Sequence, residues 1–127
     1  EELEKWIEEM KKIAAENDRL EVALHNLGQV LYYSPEDEDG LWIDRAVAEI
    51  LNKSDAEQIR EGYSISAYNS VGVVTIDKEG TVWLELEEKW TKRAKDVELQ
   101  FFRFAQTLRE LAKQYHDQAE RERDSWN

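Results

Sequence analysis

The sequence contains no cysteine and only one proline among its 127 residues. The absence of cysteine excludes disulfide bonds, thiolate chemistry and zinc sites built from cysteine, and it suits a reducing compartment such as the cytoplasm. Its longest apolar runs extend over only a few residues, too few for a membrane-spanning helix. The acidic start of the chain also has the wrong charge for a signal peptide. We therefore expect a cytoplasmic protein that does not bind membranes.

Positive charge is the second deficit, because the formal net charge is −12. Residues 1–40 contain 12 acidic and 4 basic side chains, a net charge of −8, whereas residues 89–127 have a net charge of +2. Such a balance repels phosphate backbones, since non-specific affinity for nucleic acid depends on lysine and arginine. We expect no direct contact with nucleic acid, and a basic protein surface is the more plausible partner.

Hydrophobic periodicity and charge content are typical of a single compact domain over residues 1–127, rich in helix. Apolar residues recur at helical spacing, and the sequence predicts that Leu24, Leu27, Leu108 and Leu111 are buried. In the first half of the chain, capping-box patterns and the single proline separate the helical segments. The predicted helices are one that ends near Glu16, one from Asp18 to Ser34, one over 41–52 and a short one from Ser54 to Gly62.

The pattern changes in the stretch VGVVTIDKEGTVWLEL, which has β-branched and aromatic residues on both sides of D-K-E-G. It predicts an antiparallel β-hairpin with strands at about 71–77 and 81–85 and a left-handed glycine in its turn. From Leu86 the helical period returns, and a break near 95–100, with Asp96 as a cap, divides it into two helices. The expected fold class is α+β and predominantly helical, with five or six helices packed around this hairpin.

The acidic stretch PEDEDGLWID, residues 35–44, is the first candidate site. It places Asp37, Asp39 and Gly40 as a calcium loop would, but Pro35 and Ala46 occupy the positions of the first and last ligands, so it is not an EF-hand loop. Three interpretations stay open: charge at a helix start, an acidic surface for a partner, and weak divalent binding. The candidate interaction residues are Glu36, Asp37, Glu38, Asp39 and Trp42. Helical phase places Trp42 at the edge of the inward stripe of the 41–52 helix, either as a cover for the core or as an aromatic anchor beside the acidic residues.

Catalytic and cofactor motifs are not found elsewhere. His25 and His116 are isolated from metal-ligand spacings, and no G-x-S-x-G motif or glycine-rich phosphate loop occurs. We expect no metal, no cofactor and no catalytic residue. The segment 63–73 is the second candidate, with Tyr68 and Asn69 interpreted either as part of a turn or as a polar recognition loop.

Several short motifs are carried by Asp37–Gly40, Trp42, Ala46–Val47, Ile59, Gly62, Asn69, Gly72–Val73, Ala94, Ala105, Leu108–Arg109, Leu111–Ala112, Tyr115 and Ala119. Together these motifs resemble an uncharacterised family of small bacterial proteins. In that family a basic residue often precedes the G-V pair, whereas this chain has Val71 there, which argues against an anion-binding loop. The resemblance implies a compact bacterial domain and assigns no activity.

The leading functional hypothesis is a non-enzymatic, acidic protein-interaction module. Such a module would bind a basic protein surface, as an inhibitor or a mimic of nucleic acid does. The first alternative is a domain that binds a small molecule or nucleotide through the 63–73 loop, and a weaker one is an enzyme that uses scattered carboxylates. The apolar stripe of the C-terminal helices also leaves a homo-oligomer open.

Overall fold

The computed structural model describes residues 2–16, 18–71 and 80–125, and within these ranges it contains six α-helices and no β-strand. The predominantly helical character is confirmed, as is the predicted break near 95–100. No helix among the described residues is both long and apolar enough to cross a membrane. The helices are α1 (Glu2–Glu16), α2 (Leu20–Leu31), α3 (Arg45–Leu51), α4 (Glu57–Asn69), α5 (Thr81–Val97) and α6 (Phe102–Ser125).

The predicted β-hairpin, and with it the predicted α+β fold class, is wrong. Residues 81–85, assigned to its second strand, form the first turn of α5, while residues 72–77 of its first strand lie outside the described residues. The helical period in fact begins before Leu86, because Trp83, Trp90 and Val97 recur every seven residues and are all buried. Gly80 has the predicted left-handed conformation, with φ +68°, but it precedes a helix and not a returning strand.

The prediction that Gly62 ends a helix is wrong. This residue lies inside α4, which continues to Asn69, so most of the predicted 63–73 loop is helical. A Cβ atom added at Gly62 would lie 2.0 Å from the carbonyl oxygen of His25, which belongs to α2. Glycine is therefore needed here because two helix backbones meet, and not because a helix stops.

The turn between α1 and α2 also differs from the predicted capping box at Asp18. Asp18 has φ +59°, its N–H donates to the carbonyl of Ala15 at 3.2 Å, and the N–H of Arg19 donates to Ala14 at 2.8 Å. These two bonds form a Schellman motif, which satisfies carbonyls at the end of α1. The Asp18 side chain therefore does not cap α2, which begins at Leu20 without a side-chain cap. Asp96 likewise lies within α5 and does not cap α6.

The chain divides into two compact units, Glu1–Ala67 and Tyr68–Asn127, called here the N-terminal and C-terminal units. In the N-terminal unit, α2, α3 and α4 supply most of the buried side chains, and the predicted burial of Leu24 and Leu27 is confirmed. The other buried apolar residues of this unit are Ile7, Ala14, Leu31, Ile43, Val47, Ala48, Ile50, Leu51, Ala56, Ile59, Tyr63 and Ala67.

In the C-terminal unit, α5 and α6 form an antiparallel helical hairpin. Arg109, early in α6, donates a hydrogen bond to Glu98 at the end of α5. His116, later in α6, is hydrogen-bonded to Glu87, which lies earlier in α5, so the two helices run in opposite directions. Trp90, Phe104, Leu108 and Leu111 are among the fully buried side chains. The predicted burial of both leucines is therefore confirmed.

Candidate interaction surface

The acidic segment folds into a turn that leads directly into α3. The N–H of Asp37 donates to the carbonyl of Leu41 at 3.0 Å, and the N–H of Gly40 donates back to the carbonyl of Asp37 at 3.2 Å. Gly40 has φ +95°, a conformation that side-chain-bearing residues rarely adopt. This geometry brings the aspartates of the segment to the N-terminus of the helix.

Two aspartates satisfy the first backbone donors of α3. Asp37 Oδ1 accepts from the N–H of Arg45 at 3.0 Å. Asp44 Oδ1 accepts from the N–H groups of Ala46 and Val47 at 2.9 and 3.2 Å. These donors have no partner within the helix, and negative charge is stabilised at a helix N-terminus. Asp37 and Asp44 therefore have a structural role whatever else the segment does.

Arg45 neutralises part of the acidic segment. Its Nε lies 3.0 Å from Asp39 Oδ2 and 3.5 Å from Asp37 Oδ2. The hydrogen-bonded Asp39 side chain, the Arg45 N–H and the Arg45 charge together hold the pKa of Asp37 below its ordinary value. In contrast, Glu36 and Glu38 are exposed, and neither carboxylate has an ion-pair partner among the described residues. Their charges face solvent.

Trp42 lies outside any helix, since α3 begins at Arg45 and not at residue 41 as predicted. The helical-phase argument for its direction therefore does not apply. Trp42 is half-buried and follows the acidic residues directly, while its neighbour Ile43 is buried. Both predicted roles, a cover for the core and an aromatic anchor beside acidic residues, stay open.

The second candidate site is divided by the fold. Tyr63 is buried, and it lies edge-on to Tyr32, with 5.4 Å between the ring centroids. Tyr68 stacks with Tyr115 at 5.3 Å and with Trp83 at 6.3 Å, their planes within 17° of parallel. Stacking on two rings occupies much of the Tyr68 surface that a flat ligand would use.

His116 has two carboxylate partners, and the sequence pattern did not indicate the one on α5, Glu87. Its Nε2 lies 3.0 Å from Glu120 Oε1, one turn along α6, and its Nδ1 lies 3.0 Å from Glu87 Oε1 on α5. Both carboxylates raise the pKa of His116 above its ordinary value, and Glu87 raises it more than Glu120 does. His25 is paired as well, with Nε2 3.0 Å from Glu61 Oε2 on α4. Among the described residues, no group of three or more acidic or histidine side chains is arranged to hold a metal ion.

An apolar groove between α1 and α2 is the other feature that the sequence pattern did not indicate. It has a volume of about 630 Å³, and Trp6, Met10 and Ile13 form one wall. These three residues follow the helical spacing of the apolar residues of α1, but Trp6 and Ile13 are more than half exposed. The remaining lining residues are Glu9, Ala14, Arg19 and Ala23.

Comparisons with known proteins identify no relative: no family model matches the sequence, and no curated protein or solved structure matches it. The resemblance to a family of small bacterial proteins therefore stays a hypothesis.

Proposed function

We propose that this protein is a non-enzymatic interaction module whose acidic N-terminal residues bind a basic surface on another protein. The observation that carries the proposal is that only two of the four acidic side chains at 36–39 are bonded to other described residues. Asp37 and Asp39 are bonded to Arg45, which fixes the turn, while Glu36 and Glu38 extend from it unpaired. An exposed pair of charges on a fixed turn is suited to steering a partner of opposite charge.

The charge distribution supports the same proposal. Residues 1–40 have a net charge of −8, and Arg45, which is paired with Asp37 and Asp39, neutralises only part of it. Charges at the rim of an interface act chiefly on the rate of encounter and on specificity. We therefore expect association that weakens as salt is added, because exposed charges are screened beyond a distance of about 10 Å at 0.1 M salt.

The test is affinity capture from a bacterial lysate, followed by kinetic measurements on the captured protein. In the variant Glu36→Gln/Glu38→Gln both exposed charges are removed and no described hydrogen bond is lost. We expect the association rate constant at low salt to fall several-fold, with little change in the dissociation rate. Adding Asp37→Asn and Asp39→Asn should slow association further and also lower stability slightly, because Asp37 accepts the Arg45 N–H.

A matched control removes four exposed charges from the C-terminal unit: Glu85→Gln, Glu88→Gln, Glu110→Gln and Asp124→Asn. The variant in which Glu36, Asp37, Glu38 and Asp39 are all neutralised is called here the acidic-turn variant. The control has the same net charge as the acidic-turn variant. Equal association rates for the two fourfold variants would mean that only net charge matters. Unchanged binding by the acidic-turn variant at low salt would contradict the proposal.

A further inference from the structure

Helix α1 has an apolar stripe that is wider than the part it buries. Ile7 and Ala14 are buried, whereas Trp6 is 56% exposed and Ile13 is 58% exposed. At about 100° per residue, Trp6 and Ile13 lie about a quarter-turn around the helix from Ile7 and Ala14. The exposed edge is continuous, because Trp6, Met10 and Ile13 follow the i, i+4, i+7 spacing of a single helix face.

The second helix completes a groove along this edge. Ala23 of α2 lies opposite, and its small side chain leaves the space of about 630 Å³ open. Seven residues further along, on the same face of α2, Val30 is 66% exposed. Large apolar side chains exposed together in this way mark interaction surfaces more often than scattered ones do.

A row of carboxylates borders the groove on its α1 side. Glu2, Glu9 and Glu16 recur every seven residues, so they lie on one line next to the Trp6–Ile13 edge, and all three are exposed. Glu9 itself lines the groove.

Arg19 is the basic residue among the described lining residues, at the end of the groove near the interhelical turn. Lys5 and Lys12 lie one row further out on α1. The rim nearest the apolar edge is therefore acidic along its length.

We infer that the α1–α2 groove binds a basic amphipathic helix of another protein. An apolar wall with i, i+4, i+7 anchors accepts the apolar stripe of such a helix, and the Glu2–Glu9–Glu16 row attracts the lysines or arginines beside that stripe. A second copy of this chain fits less well, because it would bring two such acidic rows and two net charges of −12 together. The inference rests on the proposed function and gives the basic partner a secondary structure and a binding position.

The probe is a synthetic leucine–lysine peptide of about 18 residues, patterned as an amphipathic helix. Binding to the full chain is followed by calorimetry and by the peptide's gain of helical circular dichroism. We expect saturable binding that weakens with salt, and no binding of a leucine–glutamate peptide of the same pattern. Trp6→Ser/Ile13→Ser should weaken binding about tenfold or more, since buried aromatic anchors dominate such interfaces. Glu2→Gln/Glu9→Gln/Glu16→Gln should weaken it at low salt and much less at high salt.

The matched control is Val22→Ser/Tyr33→Ser, which removes two exposed apolar residues from outside the groove and should leave binding unchanged. Equal binding of the leucine–lysine peptide by the Trp6→Ser/Ile13→Ser variant would overturn the inference, as would no binding to the unmodified chain. A dimer of the free chain that dissociates in Trp6→Ser/Ile13→Ser, measured by analytical ultracentrifugation, would overturn it in favour of a second copy.

Two variants separate this inference from the proposed function. If the captured partner is lost from Glu36→Gln/Glu38→Gln but kept by Trp6→Ser/Ile13→Ser, the proposed function stands and the groove is not its binding site. If the peptide is lost from Trp6→Ser/Ile13→Ser and kept by Glu36→Gln/Glu38→Gln, the groove is a binding site that does not need the acidic turn.

Discussion

The two units of this protein join their helices in opposite ways. In the N-terminal unit α2 and α4 cross at glycines: a Cβ atom added at Gly28 would lie 1.9 Å from the carbonyl oxygen of Ile59, and one added at Gly62 would meet His25. In the C-terminal unit large side chains fill much of the space between α5 and α6, among them Trp83 and Tyr115, whose ring centroids are 6.0 Å apart.

The difference determines which changes each unit tolerates. Where two backbones touch, the contact depends on the absence of side-chain atoms, and adding a single methyl group disrupts it. Where large side chains fill the space, the contact depends on their volume, and removing atoms leaves a cavity. Opposite substitutions should therefore damage the two units.

The largest expected effect is the removal of a core side chain from the C-terminal unit. Leu108 is fully buried, so Leu108→Ala should lower the free energy of unfolding by about 2–5 kcal/mol through lost burial and the cavity left behind. Chemical denaturation followed by circular dichroism measures this loss. Leu99→Ala is the matched control, because Leu99 is 97% exposed and its truncation should change stability by less than about 0.5 kcal/mol. Equal losses in the two variants would mean that the α6 stripe does not form a core.

The next effect is the addition of a methyl group in the N-terminal unit. Gly28→Ala should lower the free energy of unfolding by about 1–3 kcal/mol, although alanine favours a helix over glycine by about 1 kcal/mol. The reason is that the new Cβ would overlap the Ile59 carbonyl and also lie 2.7 Å from the Tyr63 nitrogen. The same denaturation measurement applies.

A control on the same helix is Asn26→Ala, an exposed position where the helix preference acts without a clash and stability should stay equal or rise slightly. Gly28→Ala/Gly62→Ala should cost less than the two single changes added together, because either one already separates the helices at their crossing. A stabilised Gly28→Ala protein would show that the helices are further apart than described.

The smallest effect concerns pH and the polar contact between α5 and α6. The pKa of His116 is raised by Glu87 and, less strongly, by Glu120, so this contact contributes stability below the ordinary histidine pKa of 6.5. That contribution should be lost as pH rises through the higher pKa of the folded state. A nuclear magnetic resonance titration of the His116 ring should give a pKa above 6.5, and Glu87→Gln should lower it more than Glu120→Gln does. A larger shift in Glu120→Gln would reverse the assignment of the main partner.

The sequence predicted several buried positions correctly, because burial within a helix often follows a regular period that local residues determine. Leu24, Leu27, Leu108 and Leu111 were all assigned correctly for this reason. The hairpin was wrong because its prediction rested on the β-branched and aromatic residues beside D-K-E-G, whereas Trp83 is also in helical phase with Trp90. A run of three apolar residues such as Val82–Leu84 fits a strand and a helix equally well.

The features that sequence could not predict depend on contacts between distant residues. Gly62 has the same local pattern whether it ends a helix or lies at a crossing, and only the approach of His25 from α2 decides between them. In the same way, the spacing of Trp6 and Ile13 indicates an apolar face but not whether another helix covers it. The bonds from Arg45 to the acidic turn likewise depend on a turn geometry that residue types alone do not determine.

The crossing at Gly28 also has a consequence for hydrogen exchange. The two atoms of α4 nearest to a Cβ built on Gly28, Ile59 O and Tyr63 N, are the acceptor and donor of one helical hydrogen bond. Because α2 covers this bond directly, water can reach the Tyr63 amide only after the two helices separate. Its rate of exchange with deuterium should therefore match that of the slowest amides in the N-terminal unit, and so report how often α2 leaves α4.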